Sequence, residues 1–239
     1  MVHSAADQPS RSQPLPALRT LLLAFLITLA FLVRLAPLGR YVTPDEPAWV
    51  YRAALFADAL ASRAGASFPV TGHPGVTTMW LGAAGIAVQR LLSPAASAAH
   101  LDWLRHLVWL APENAAAFRH LAFFLSAGRI AVALASTLGI VAAGLLAARA
   151  FDRGVALLLV GLLAFEPFLV GHSGLLHTDA LLSTFSLLAL LAAWNSRTRR
   201  PLLWSALAGL CAGLALLTKT PAVIVAAFAG GMVVGRGGE

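Results

Sequence analysis

Long apolar stretches separated by short polar ones dominate the chain. They run at about Leu18–Leu38, Val76–Leu92, Leu121–Ala148, Val155–Val170, Ala180–Trp194, Leu202–Thr218 and Ala222–Val234. Leucine, alanine and valine carry the apolarity, and no run alternates as the strands of a membrane barrel do, so the pattern predicts helices. Several runs fall short of the roughly 20 residues that cross a bilayer comfortably. Short runs suit helices whose polar ends enter a cavity. The expected fold class is all-α: a polytopic helical membrane protein with about six transmembrane helices, plus membrane-surface helices in a first outer loop over about 40–120. Residues 1–16 are polar and contain Pro and Ser, and are expected to form a disordered cytoplasmic tail. The first run is not a cleaved secretory signal, because Arg34 and Pro37 stand where small residues would be needed and further spans follow.

The placement of arginine sets the orientation. Arg149 and Arg153 flank one tight turn, and Arg197, Arg199 and Arg200 crowd another. Two spans separate these turns, so both face one side, which the positive-inside rule makes cytoplasmic. Arg11 and Arg19 put the N-terminus there as well. The chain then leaves its first span outside, near Tyr41, and must enter the Leu121 run from outside. An even number of crossings is needed between them, yet only Val76–Leu92 is available. That run is therefore read as lying in, or dipping into, the outer surface. The competing reading makes it a true span with the N-terminus outside. The first topology gathers Asp45, Glu46, His73, His172, His177, Asp179 and Lys219 on one face; the second parts Asp45 from His177.

Composition agrees with a bilayer protein and narrows the partners. The 239 residues are 59% hydrophobic and 11% charged, against about one quarter charged in a soluble domain. The net charge of +7 is almost all arginine, Lys219 being the sole lysine. The arginines are scattered between apolar runs as loop anchors, which excludes nucleic acid as a partner. Cys211 is the only cysteine and forms no internal disulfide.

Four segments carry candidate chemistry. Thr43-Pro44-Asp45-Glu46-Pro47 follows the first span, with Trp49, Tyr51 and Arg52 behind it. Paired carboxylates at a membrane surface are costly unless solvated or used. Thr43 and Glu46 also form a capping box with Pro44 at the first helical position, and a cap holds a carboxylate firmly. Gly72-His73-Pro74-Gly75 is a turn before the surface run. Glu166-Pro167, then His172, His177 and Asp179, occupy a short outer loop. Glu166 falls close to mid-membrane, where an ionisable group is a functional candidate, and Pro167 suggests a kinked or broken helix. The His172–His177–Asp179 cluster is a candidate for a divalent metal or a phosphate; its spacing matches no standard zinc pattern, and no cofactor is assigned. Asp179 also reads as the first-turn acid of a helix. Last, Leu217-Thr218-Lys219-Thr220-Pro221 sets a lone ammonium at the outer end of an apolar run, where it either snorkels to the interface or neutralises a phosphate.

In this order and spacing the four segments resemble the type C glycosyltransferase superfamily, in particular its protein O-mannosyltransferase-like and lipid A aminoarabinose transferase-like enzymes. The resemblance runs from about Leu18 to the end. It implies an integral-membrane enzyme of the plasma (inner) membrane with an extracytoplasmic active site. Such an enzyme moves a sugar from a polyprenyl-phosphate carrier to a hydroxyl acceptor on a protein, lipid or glycan, with inversion. Asp45 matches the family's catalytic base, with Glu46 beside it as the second catalytic candidate, and Arg52, His73 and Lys219 match the donor-phosphate site. Glu166, His172, His177 and Asp179 form a supporting cluster. The chain departs from the aminoarabinose transferases at Ala48, where they carry arginine, and from relatives that carry a basic residue near Gly174. It is also about half their usual length, so 17–239 is expected to be the N-terminal part of a longer module. The alternatives are a polytopic transporter or lipid-handling protein without transfer chemistry, or an inactive fragment of the transferase.

Overall fold

The computed structural model describes residues 16–62, 72–108, 111–112, 114, 116–197 and 200–235, with the side chains of 20 onward. Of the expected tail at 1–16, residues 1–15 lie outside these and Pro16 already belongs to the first helix; the side chain of Arg19, Arg199 and residues 236–239 lie outside as well. Among the described residues there are ten helices and no strand. They are α1 (Pro16–Arg34), α2 (Glu46–Ser62), α3 (Val76–Leu92), α4 (Pro94–Arg105), α5 (Ala117–Ala150), α6 (Arg153–Phe165), α7 (Pro167–Ser173), α8 (Asp179–Asn195), α9 (Pro201–Thr218) and α10 (Ala222–Val234).

The long helix α5 organises the rest. Its 34 residues span about 51 Å at about 1.5 Å per residue, well beyond the roughly 30 Å of a hydrocarbon core. The excess is used at its N-terminal end. Leu121, Phe124, Leu125 and Val132 of α5 share one core with Trp49, Val50, Ala53 and Phe56 of α2, Met79 and Ile86 of α3, and Leu101 and Leu104 of α4. Helix α3 thus packs on the N-terminal third of α5. Gly85 brings the two backbones together, since a Cβ there would stand 2.7 Å from the carbonyl carbon of Ala127.

The remaining helices pack differently. Ala189, Ala192, Ala193, Ala208, Ala212, Ala215 and Ala229 are buried between α8, α9 and α10, whereas Leu138, Leu145, Leu158, Leu210, Ile224 and Phe228 face outward. Small residues inside and large apolar ones outside are what helices surrounded by lipid require. Helices α5 and α9 are long and apolar enough to cross a membrane, and α6 with α7, bent by 59° at their break, makes a third candidate. The other apolar helices, α1, α3, α8 and α10, are shorter among their described residues.

Two elements differ from the sequence pattern. The first apolar run stops being helical at Arg34, and Leu35 to Arg40 form a chain of turns. Helix α4 lies in a segment without an apolar run; it is amphipathic, with Leu101 and Leu104 inward and Asp102 and Arg105 outward. The break expected at Glu166-Pro167 is present. Buried Arg34 supports it by donating to the carbonyls of Leu163 (2.8 Å) and Ala164 (2.9 Å), which a helix end would otherwise leave open.

Candidate functional site

The two neighbouring carboxylates of the first loop meet opposite fates. Helix α2 begins at Glu46, with Pro44 and Asp45 in the turn before it, so Pro44 is not the first helical residue. Half of the expected capping box is formed: Glu46 Oε2 accepts from the Thr43 amide at 2.9 Å. The Thr43 hydroxyl also donates to that oxygen, at 3.0 Å, so it caps nothing. What draws Glu46 inward is Arg129 of α5. The guanidinium donates to Glu46 Oε1 at 2.7 Å and Oε2 at 2.6 Å, and to the carbonyls of Pro37 and Tyr41, both at 2.7 Å. The Leu176 amide donates to Glu46 Oε1 at 3.0 Å. Burial raises the Glu46 carboxyl, but the Arg129 bond and the Thr43 and Leu176 amides outweigh it and hold the group below its ordinary range. Glu46 is 0% exposed, so it has no face for a substrate. The acidic pair read as jointly catalytic is thereby split, with Glu46 as the internal strut.

Asp45 points the other way. Its side chain is 73% exposed, and Oδ2 lies 3.3 Å from His177 Nε2. The other ring nitrogen of His177 is 3.2 Å from Asp179 Oδ2, without the geometry of a hydrogen bond. Lys219 Nζ donates to Asp179 Oδ1 at 2.7 Å. Asp45, His177, Asp179 and Lys219 therefore form one continuous array of ionisable side chains, assembled from the turn before α2, the α7–α8 loop, the first turn of α8 and the α9–α10 break. The turn at 72–75 joins it through backbone contacts. Gly75 donates to the Thr218 carbonyl at 3.0 Å, and the Thr77 and Thr218 hydroxyls meet at 2.7 Å. Gly75 has φ +59°, and a Cβ there would fall 2.2 Å from the Trp49 ring, so glycine is required. Trp49 also carries the Arg52 guanidinium 4.9 Å above its ring and meets His177 edge-on at 6.4 Å.

The other candidates are less closely joined. His73 stands exposed on its turn. His172 stacks on Phe168 at 4.0 Å and places Nδ1 2.9 Å from that residue's carbonyl oxygen. Glu166 is exposed and serves as the cap of α7, accepting from the amides of Phe168 (3.1 Å) and Leu169 (2.7 Å). Among the described residues no group of three or more His, Cys, Asp or Glu side chains is placed to hold a metal ion. Sequence reasoning missed Arg129. The signal was there: an arginine inside an unbroken apolar run of this length must find a partner.

The family model of dolichyl-phosphate-mannose-protein mannosyltransferase matches residues 117–236. The chain belongs to this family. It is thus a member of a family of membrane glycosyltransferases. The matched stretch of this mannosyltransferase-family chain holds Arg129, His177, Asp179 and Lys219, whereas Asp45 and Glu46 precede it. No curated protein and no solved structure matches the chain significantly.

Proposed function

We propose that the chain transfers a sugar from a polyprenyl-phosphate carrier to a hydroxyl acceptor at the extracytoplasmic rim of the membrane, with Asp45 as general base. The observation that carries this is the array itself: an exposed carboxylate stands within one imidazole of a lysine-bearing helix break. The acceptor oxygen attacks the anomeric carbon and its proton passes to Asp45. The carbon–oxygen bond to the phosphate breaks, and its electron pair leaves with the phosphate. Growing negative charge there needs fixed cations. Lys219, with one of its three N–H groups on Asp179, together with Arg52 and His73, is assigned to it. His172, His177 and Asp179 support the outer loop, and Glu166 acts only by capping α7. Residues 17–239 serve as one membrane module, with six spans formed by α1, α5, the bent α6–α7 pair, α8, α9 and α10, and with α2–α4 as the outer layer. This count supports the topology with a cytoplasmic N-terminus, because α3 packs on the part of α5 beyond Arg129.

The family name points to mannose, so the test uses polyprenyl-phosphate-mannose as donor and the membranes of the expressing cells as acceptor. The full chain transfers label into the membrane fraction, and D45N lowers the rate by about 10²–10⁴-fold while inserting normally. Transfer retained in D45N would reject Asp45 as the base.

A further inference from the structure

We infer that His177 is the positioning residue of Asp45 and the group through which proton uptake switches that base off. The inference rests on the transferase reading. Among the described residues, His177 makes the only hydrogen bond to the Asp45 carboxylate. An exposed carboxylate otherwise turns freely, and a base must hold one oxygen toward the proton it takes. His177 is suited to fix it, being only 18% exposed. Its ring is braced edge-on by Trp49, and the residue before it is tied by its amide to Glu46. The neutral ring, protonated at Nε2, donates to Asp45 Oδ2 and leaves Oδ1 for the acceptor.

The second nitrogen supplies the switch. Nδ1 is buried, without a hydrogen-bond partner, and 3.2 Å from Asp179 Oδ2. A proton added there lies against that carboxylate and puts a full positive charge one bond away from Asp45. A carboxylate beside a cation is a weaker base. The surrounding charges are Asp45 on the α2 side, Asp179 and Lys219 on α8 and the α9–α10 break, His172 on α7, and Arg52 across Trp49. The Glu46–Arg129 pair lies behind the loop. In the switched-on state a neutral imidazole holds Asp45 alone; in the switched-off state an imidazolium lies between Asp45 and Asp179.

The test is the pH dependence of transfer from polyprenyl-phosphate-mannose by wild type, H177A and H177Q. Glutamine keeps an N–H donor but does not titrate. Wild type loses rate on acidification. H177A is slower by about ten- to a hundredfold at pH 8, the loss of one charge-assisted bond, and it lacks the fall toward acid. H177Q recovers most of that loss at pH 8 and lacks the fall toward acid. A wild-type acid limb in H177Q, or a wild-type rate in H177A, overturns the inference. A readout without turnover separates it from the transferase reading. Nitrogen NMR of histidine-labelled full chain in nanodiscs, with H177Q for assignment, shows the neutral ring protonated at Nε2, and D45N disturbs that signal. A ring protonated at Nδ1 overturns the His177 assignment whatever the transfer assay gives. Absence of transfer by wild type overturns the transferase reading alone.

Discussion

Replacing Arg129 with methionine removes the centre of the site's support at similar volume. Arg129 and Glu46 are 2% and 0% exposed and 2.6 Å apart, so water screens them little. Methionine leaves a buried carboxylate facing no cation. It also leaves the carbonyls of Pro37 and Tyr41 without the 2.7 Å bonds that Arg129 supplies. Breaking a buried pair from one side costs about 3–5 kcal/mol, and the two carbonyls place R129M in the upper part of that range. R129M/E46M removes both charges together, so its cost falls below the sum of the single variants by about 2 kcal/mol or more. The assay is unfolding in mixed detergent micelles, followed by tryptophan fluorescence, for the four members of the cycle. Additive losses, or a loss in R129M under about 1 kcal/mol, would refute the claim that this pair holds the first loop and the α7–α8 loop together.

The same pair predicts an acid dependence. The folded-state value of Glu46 lies below its ordinary 4.5, so its stabilisation is complete above that value and is lost as pH falls through the lower folded one. Wild type therefore loses stability progressively as pH falls below the ordinary carboxylate range, and E46Q, measured by the same unfolding assay, lacks that component. Topology gives an independent check. In a C211A background, D45C and H177C react with a membrane-impermeant thiol reagent from the same, extracytoplasmic face; labelling from opposite faces dismantles the array.

Much of this architecture is legible along the chain because helix, break and cap each leave a local mark. Pro167 behind Glu166 marks the bend between α6 and α7. Thr43 and Glu46 mark the start of α2, displaced by two residues, with the Thr43 hydroxyl donating to the Glu46 carboxylate instead of capping the helix. Helix α4 left no mark, since its stability comes from Leu101 and Leu104 packing on distant partners, which hydropathy in a window does not register. The site was harder. The meeting of Asp45 with His177 joins residues 132 apart, and nothing local distinguishes an exposed Asp45 from an enclosed Glu46. That division is decided by Arg129, which lies 83 residues from Glu46.

The length of α5 carries a mechanical consequence. From Arg129 to Ala150 it runs about 33 Å at about 1.5 Å per residue, enough for the hydrocarbon layer, and the same uninterrupted rod continues back to Ala117. Helices α2, α3 and α4 are lashed to that mast. Any rocking of the bundle therefore carries Glu46, Asp45 beside it and the α7–α8 loop tied to it through Leu176 as one rigid body.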